Sequence, residues 1–168
     1  MIGVQHIVTI TGERDWTDEE TICRVLDRAL KTWLDRIDAS LTPRGPSVSV
    51  MDYPAQDRAA FVLRHGANNS GADAIANRWG IARGVTVERF HADWRLPTGG
   101  VDYSAGPRRN AKMAAAEPPA DRAYAFWSGK TTLRRGREVS GTRDCIGVLA
   151  AVGIEVHVIP PSIKEQST

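Results

Sequence analysis

Glycine, serine and arginine gather in this chain where apolar runs give way to helical patterns, and such residues at such joints bind anions. In the stretch 61–73, Phe-Val-Leu-Arg-His-Gly-Ala-Asn-Asn-Ser-Gly-Ala-Asp, a short apolar run stops at Gly66 and a helical pattern starts near Gly71. A helix start offers unpaired N–H groups and the positive end of the peptide dipoles, so an anion is the natural guest. Gly66 and Gly71 permit close approach of backbone and ligand, Ser70 stands where it can cap the helix, and Asp73 falls in its first turn. A plain strand-to-helix joint has the same look, so this stretch alone does not specify a ligand. A second joint, 105–110, reads Ala-Gly-Pro-Arg-Arg-Asn. Two arginines at a helix start oppose the dipole, a cost that an anion gripped between guanidinium groups would remove; side chains reaching into water are the other reading. His91 and Asp93 share one face of an extended segment, but no third ligand stands at motif spacing, so no metal is expected.

The elements that must position these residues alternate along the chain. Residues 5–11 are rich in β-branched side chains and end at Gly12, which predicts a buried first strand. Thr17 and Glu20 have capping-box spacing, and Ile22, Leu26, Leu30, Trp33, Leu34 and Ile37 follow as one apolar helical stripe. Between 38 and 57 the pattern dissolves into Ser, Pro, Gly and Asp, with an alternation at 48–51 that predicts an edge strand or hairpin; Arg44 and Asp52 are read there as parts of a solvated connection. Further strands are predicted at 60–64, 85–91, 123–127 and 154–159, and further helices at 72–84, 105–116 and 140–153. Strand alternating with helix predicts an α/β protein: a Rossmann-like three-layer sandwich with a mostly parallel central sheet of about five strands. One domain over 1–160 carries insertions near 38–59 and 130–139, and 161–168 reads as a polar tail.

Composition narrows the classes. The 168 residues are 42% hydrophobic and 25% charged, ordinary globular usage that suits one domain. A formal charge of +2 leaves any basic surface local and argues against nucleic acid as the partner. Cys23 and Cys145 lie far apart without metal or redox spacing and read as reduced core residues. With no signal-like run and no apolar stretch of bilayer length, a soluble cytoplasmic protein is expected, without membrane contact.

Several motifs taken together carry a family likeness. Thr11-Gly12-Glu13-Arg14-Asp15-Trp16, His65-Gly66 with Gly71-Ala72-Asp73, Ala92-Asp93-Trp94, Ala105-Gly106-Pro107-Arg108-Arg109-Asn110 with Met113, and Ser140-Gly141-Thr142 resemble the SLOG superfamily, in its YspA-like branch, over nearly the whole chain. The name lysine decarboxylase, attached to some relatives of the LOG type, implies no decarboxylase activity. The resemblance implies a Rossmann-like sheet whose strand ends bind a nucleotide or nucleotide-derived ligand of the ribose phosphate, AMP or ADP-ribose type. It implies that Gly12 and Arg14 line the first turn, and Gly66, Ser70, Gly71 and Asp73 the second. Arg108 and Asn110 would touch the sugar phosphate, and Gly141 and Thr142 would hold phosphate at the last helix. Homo-oligomers, dimer or tetramer, are implied as well, and Trp33, Trp79, Trp94 or Trp127 would serve either an interface or the core.

The chain departs from the family at 67–70, Ala-Asn-Asn-Ser, and in the 130–139 insertion with Lys130, Arg134, Arg135 and Arg137. That insertion reads first as a solvated hairpin, with a basic lid and a partner surface as alternatives. The favoured function is a binding module, a sensor or carrier of a nucleotide-like anion. The alternative is a phosphoribohydrolase cleaving the N-glycosidic bond of a nucleoside monophosphate, a reaction that needs a carboxylate against the positive charge growing on the sugar. Related enzymes carry a glutamate where this chain has Cys145, which leaves Asp73 and Asp144 as catalytic candidates, with Glu13 a further pocket carboxylate. A nucleic-acid-processing role is the third reading. The first turn lacks G-x-G-x-x-G, which argues against a nicotinamide-dependent oxidoreductase.

Overall fold

The computed structural model describes residues 5–37 and 48–162. Arg44, the first part of the 38–59 insertion and nearly all of the 161–168 tail lie outside the described residues. In chain order the strands are β1 (His6–Gly12), β2 (Phe61–His65), β3 (Thr86–Arg89), β4 (Arg122–Phe126), β5 (Thr132–Arg134), β6 (Arg137–Val139) and β7 (Val156–Ile159). The helices are α1 (Glu19–Ile37), α2 (Ala55–Ala59), α3 (Gly71–Arg83), α4 (Ala105–Ala114) and α5 (Gly141–Ala151).

Five strands form one sheet in the order β3-β2-β1-β4-β7, with every neighbouring pair parallel. β1 is central and buried on both faces, as its run of Ile7, Val8 and Ile10 requires. Leu26, Leu30 and Leu34 of α1 and Ala76 and Trp79 of α3 pack with Val8, Ile10, Phe61 and Leu63. A second cluster joins Met113 of α4 and Cys145 and Leu149 of α5 to Ala123 of β4. The result is the expected three-layer α/β sandwich. Chain progression runs from β1 through β2 to β3 and then returns to β4 on the other side of β1. The carboxyl edge between β1 and β4 is therefore the topological switch point, where open α/β sheets leave a crevice.

Local chemistry moves some boundaries. The cap of α1 is Asp18 rather than the Thr17–Glu20 pair: its carboxylate accepts the Thr21 amide at 3.0 Å, and the Trp16 indole N–H donates to its carbonyl. The edge strand predicted at 48–51 is instead a 3-10 turn, Val50–Asp52, fixed by a capping box in which Ser49 accepts from Met51 and the Asp52 carboxylate accepts from the Ser49 amide. Short α2 follows in what was read as plain connection. Trp33 and Trp79 lie in the core, and Cys23 is only half-buried while Cys145 is fully enclosed. Arg64, 1% exposed, is accommodated because Glu88 accepts from its Nε at 2.5 Å and the carbonyls of Ala116 and Pro118 accept from its Nη1. A buried guanidinium needs such partners, and here they tie β2 and β3 to the chain beyond α4.

Burial works against the charged form of Asp18, yet hydrogen bonds from Thr21 and from the Ser162 amide outweigh it and hold the carboxyl down to about 2. Because the folded pKa lies below the unfolded one, the cap contributes fully above the ordinary value of 3.8 and is lost as pH falls toward about 2. Replacing Asp18 by Ala should lower stability by about 1 kcal/mol near neutrality. Urea denaturation of both proteins across that acid window should show the gap closing.

Candidate functional site

A cleft of about 1080 Å³ opens at the switch point, beside Thr11 and Gly12 at the end of β1. Its walls come from the 11–15 turn, the chain from Trp94 to Asn110, the β5–β6 hairpin and the start of α5. A smaller hollow of about 580 Å³ lies along the second half of α1, where Lys31 pairs with Asp35 and Arg83 with Asp27.

The first turn is built by close packing of main chain. A Cβ at Gly12 would collide with Ala72 and lie 3.0 Å from the Phe126 carbonyl oxygen. The next residue becomes a strut: the Glu13 amide donates to Phe126 O, its carbonyl accepts the Ala72 amide at 3.1 Å, and its carboxylate accepts from the Ser128 amide and hydroxyl. Gly71 has φ +64°, and a side chain there would run into the Glu13 carbonyl and the Arg14 main chain. The first turn and the start of α3 therefore meet backbone to backbone. The Ala72 amide, which an anion at α3 would use, is spent on a protein carbonyl.

The same packing decides where the expected site residues fall. Gly12, Arg14, Asn110, Gly141, Thr142 and Asp144 line the cleft; Gly66, Ser70, Gly71, Asp73 and Arg108 do not. Ser70 occupies the cap position of α3 without a side-chain hydrogen bond. Asp73 is buried, which raises its pKa, and it accepts the amide and Nδ2 of Asn68, so its influence on the cleft passes through Asn68. His65 is neutral: burial lowers its pKa, and its Nδ1 accepts the Ala67 amide while Nε2 faces Asn77. Arg108 turns outward to Asp102 and Ser104, and hydrogen bonds from Ser104 and then from Arg108 keep the Asp102 carboxyl down to about 2.

Arg109 takes the inward place. Its Nη1 donates to the Gly66 and Phe90 carbonyls and its Nε to Asn110 Oδ1, leaving Nη2 without an acceptor among the described residues. The Gly66 position is filled by this guanidinium, since a Cβ there would overlap it. Asn110 in turn donates from Nδ2 to Asp144 at 2.8 Å and to the Gly141 carbonyl. Asp144 thus lies on the cleft wall within a regular helix, and it is Cys145 that faces the core. Burial pushes the Cys145 thiol up to about 11, which excludes it as a thiolate nucleophile near neutrality.

The start of α5 is the open helix terminus. Ser140 accepts the Arg143 amide as cap, Thr142 is buried at the cleft wall, and nothing lies within 4 Å of a Cβ built on Gly141. Facing it are cations in two conditions. Lys130 is paired with Asp15, whereas Arg14 and Arg134 form no hydrogen bond or ion pair among the described residues; they rest on aromatic rings, Arg14 at 5.1 Å from Trp94 and Arg134 at 4.1 Å from Tyr103. The hairpin, exposed along both strands, nevertheless closes one side of the cleft through Thr132, Arg134 and Val139. The sequence singles out Arg109 only jointly with Arg108, as a pair gripping an anion at a helix start, and gives no cleft role to Asn68, Trp94 or Tyr103. Among the described residues, no three His, Cys, Asp or Glu side chains converge as metal ligands, and no helix is long and apolar enough to cross a membrane.

The model of the YspA, cpYpsA-related SLOG family matches residues 50–96, from the 3-10 turn through β2, α3 and β3 to just beyond Trp94. The resemblance to the YspA-like SLOG proteins is thereby supported over that segment. No curated protein and no solved structure matches the chain.

The two glycines of these helix starts should respond oppositely to one added methyl group. Gly71→Ala combines a left-handed backbone with a collision against main chain and should cost at least about 2 kcal/mol. Gly141→Ala meets open space and should stay within about 1 kcal/mol of the parent. Denaturant titration of both variants measures the contrast.

Proposed function

We propose, on the premise of a SLOG-like strand–helix unit at residues 50–96, that this protein binds a nucleotide or nucleotide-derived anion in the switch-point cleft, as a sensor or carrier. The observation that carries the reading is the convergence on one cleft of the open α5 terminus and the guanidinium of Arg14, whose donors are unspent among the described residues. Phosphate oxygens would take the amides of the first turn of α5 and the hydroxyl of Thr142, with Arg14 and the free Nη2 of Arg109 neutralising charge. Such a site favours ligands of the ribose phosphate, AMP or ADP-ribose type.

One observation favours turnover as a second reading. Asp144 stands on the cleft wall with Oδ2 held by Asn110, and its Oδ1 has no partner among the described residues. An oriented carboxylate of this kind can stabilise the positive charge that builds on a ribose as its base leaves. Binding without turnover remains the favoured reading, because the residue where related hydrolases carry glutamate is a buried thiol facing away from the cleft.

Titration calorimetry with AMP, ADP-ribose and NAD should detect binding of at least one of them. Arg14→Ala should weaken it by about tenfold, roughly 1.4 kcal/mol. Chromatography of the same mixtures should show no free base. Release of base that disappears in Asp144→Asn would instead establish the hydrolase.

A further inference from the structure

The cleft contains apolar surface that anion binding does not explain. Val101, Tyr103 and Val139 are 52%, 58% and 37% exposed, and all three line the cleft, Val139 from the hairpin side. Half-buried Trp94 stands with Val101 and Tyr103 in the 94–104 segment, an apolar strip along one side of the cleft. Exposed apolar side chains scattered singly need no explanation, but several gathered in one cleft mark a binding surface.

The strip is held in shape. The Asp102 amide donates to the Trp94 carbonyl at 2.8 Å, and an antiparallel bridge joins Arg95 to Val101, so the 94–104 segment is a closed clip. Trp94 is fixed further at its edge, where a Cβ on Gly106 would lie 3.0 Å from Cη2. Across from the clip stands the 130–139 hairpin, strapped to the rest of the chain by Lys130 to Asp15 and by Arg143 to the Glu138 carbonyl. Between clip and hairpin the Arg134 guanidinium lies over the Tyr103 ring. Tyr103 therefore presents its ring face to a flat, π-bonded partner, and the one it holds is anchored by nothing else among the described residues.

We infer that the clip and the hairpin form a subsite for a planar aromatic ring, the base of a nucleotide, with Tyr103 as its platform. The inference rests on the reading of the cleft as a nucleotide site and makes it narrower: the ligand carries a base and is not a bare sugar phosphate. Rings stack on tyrosine faces and on guanidinium planes alike, so a base held on Tyr103, or on Arg134 above it, draws on the same pair. A cleft of about 1080 Å³ lies at the upper end of small-molecule sites and has room for sugar, phosphate and base together. The insertion at 130–139 thereby becomes a specificity element of this chain.

The test compares AMP with ribose 5-phosphate by calorimetry on the full chain. AMP should bind about tenfold or more tightly, the scale of one base-on-aromatic stack. Tyr103→Ala should reduce AMP to the affinity of ribose 5-phosphate while leaving the latter unchanged, and Tyr103→Phe should keep the preference. Tyr103 is exposed, so neither change threatens the fold. Equal affinities in the parent, or a preference that survives Tyr103→Ala, would overturn the subsite and leave the anion site standing. Failure of both compounds to bind would remove the nucleotide reading, and this inference with it.

Discussion

The meeting of the first turn with the start of α3 is the constraint on which the rest of this structure depends. Gly71 adopts a left-handed backbone so that the Glu13 carbonyl and the Arg14 main chain can occupy the space a side chain would fill. The Ala72 amide closes on Glu13, and the Glu13 carboxylate closes on Ser128 beyond β4. The ends of β1 and β4 and the start of α3 are thereby locked together at the carboxyl edge. The consequence is electrostatic as much as geometric: the dipole of α3 is answered by a protein carbonyl, whereas at α5 the Ser140 cap takes one amide, that of Arg143, and Gly141 stays open to the cleft. Glycine-rich joints bind anions only where the freed amides remain free.

Charge in the cleft is distributed by the same logic. Glu13, Asp15 and Asp144 are engaged by Ser128, Lys130 and Asn110, and Arg109 is largely occupied in bridging the ends of β2 and β3. Among the described residues, two guanidinium groups seated on rings, Arg14 and Arg134, have no hydrogen bond or ion pair. A guanidinium over an aromatic face is oriented without using its N–H donors, which stay available to a ligand.

Periodicity made the sheet legible, because a buried parallel strand is a short β-branched run and the helices between carry apolar stripes. Alternation predicts a parallel sheet but not its strand order; the crevice at the switch point follows from the order β3-β2-β1-β4-β7 that the fold adopts. What sequence could not supply is which of two adjacent side chains turns inward. Arg108 and Arg109 differ by about 100° around α4, as Asp144 and Cys145 do around α5, and packing decides each case. Arg109 is inward because Gly66 leaves room for its guanidinium, and Cys145 is inward because Met113 and Leu149 surround it. The cap of α1 was misplaced by one residue for a similar reason: Thr17 and Asp18 both suit the position, and the contact of the Trp16 indole with the Asp18 carbonyl selects the second. The hairpin could be seen as an insertion but not as a cleft wall, since its link to Tyr103 joins segments distant in sequence.

Amide-resolved NMR titration with AMP addresses the central claim most directly, because each proposed wall of the cleft reports separately. The account predicts that Gly12 to Asp15, the Trp94 indole and Gly141 to Asp144 shift together along one saturation curve, with Ala72 at the closed α3 terminus little changed. Shifts confined to the hollow of Asp27, Lys31 and Asp35, or to a single turn, would contradict it.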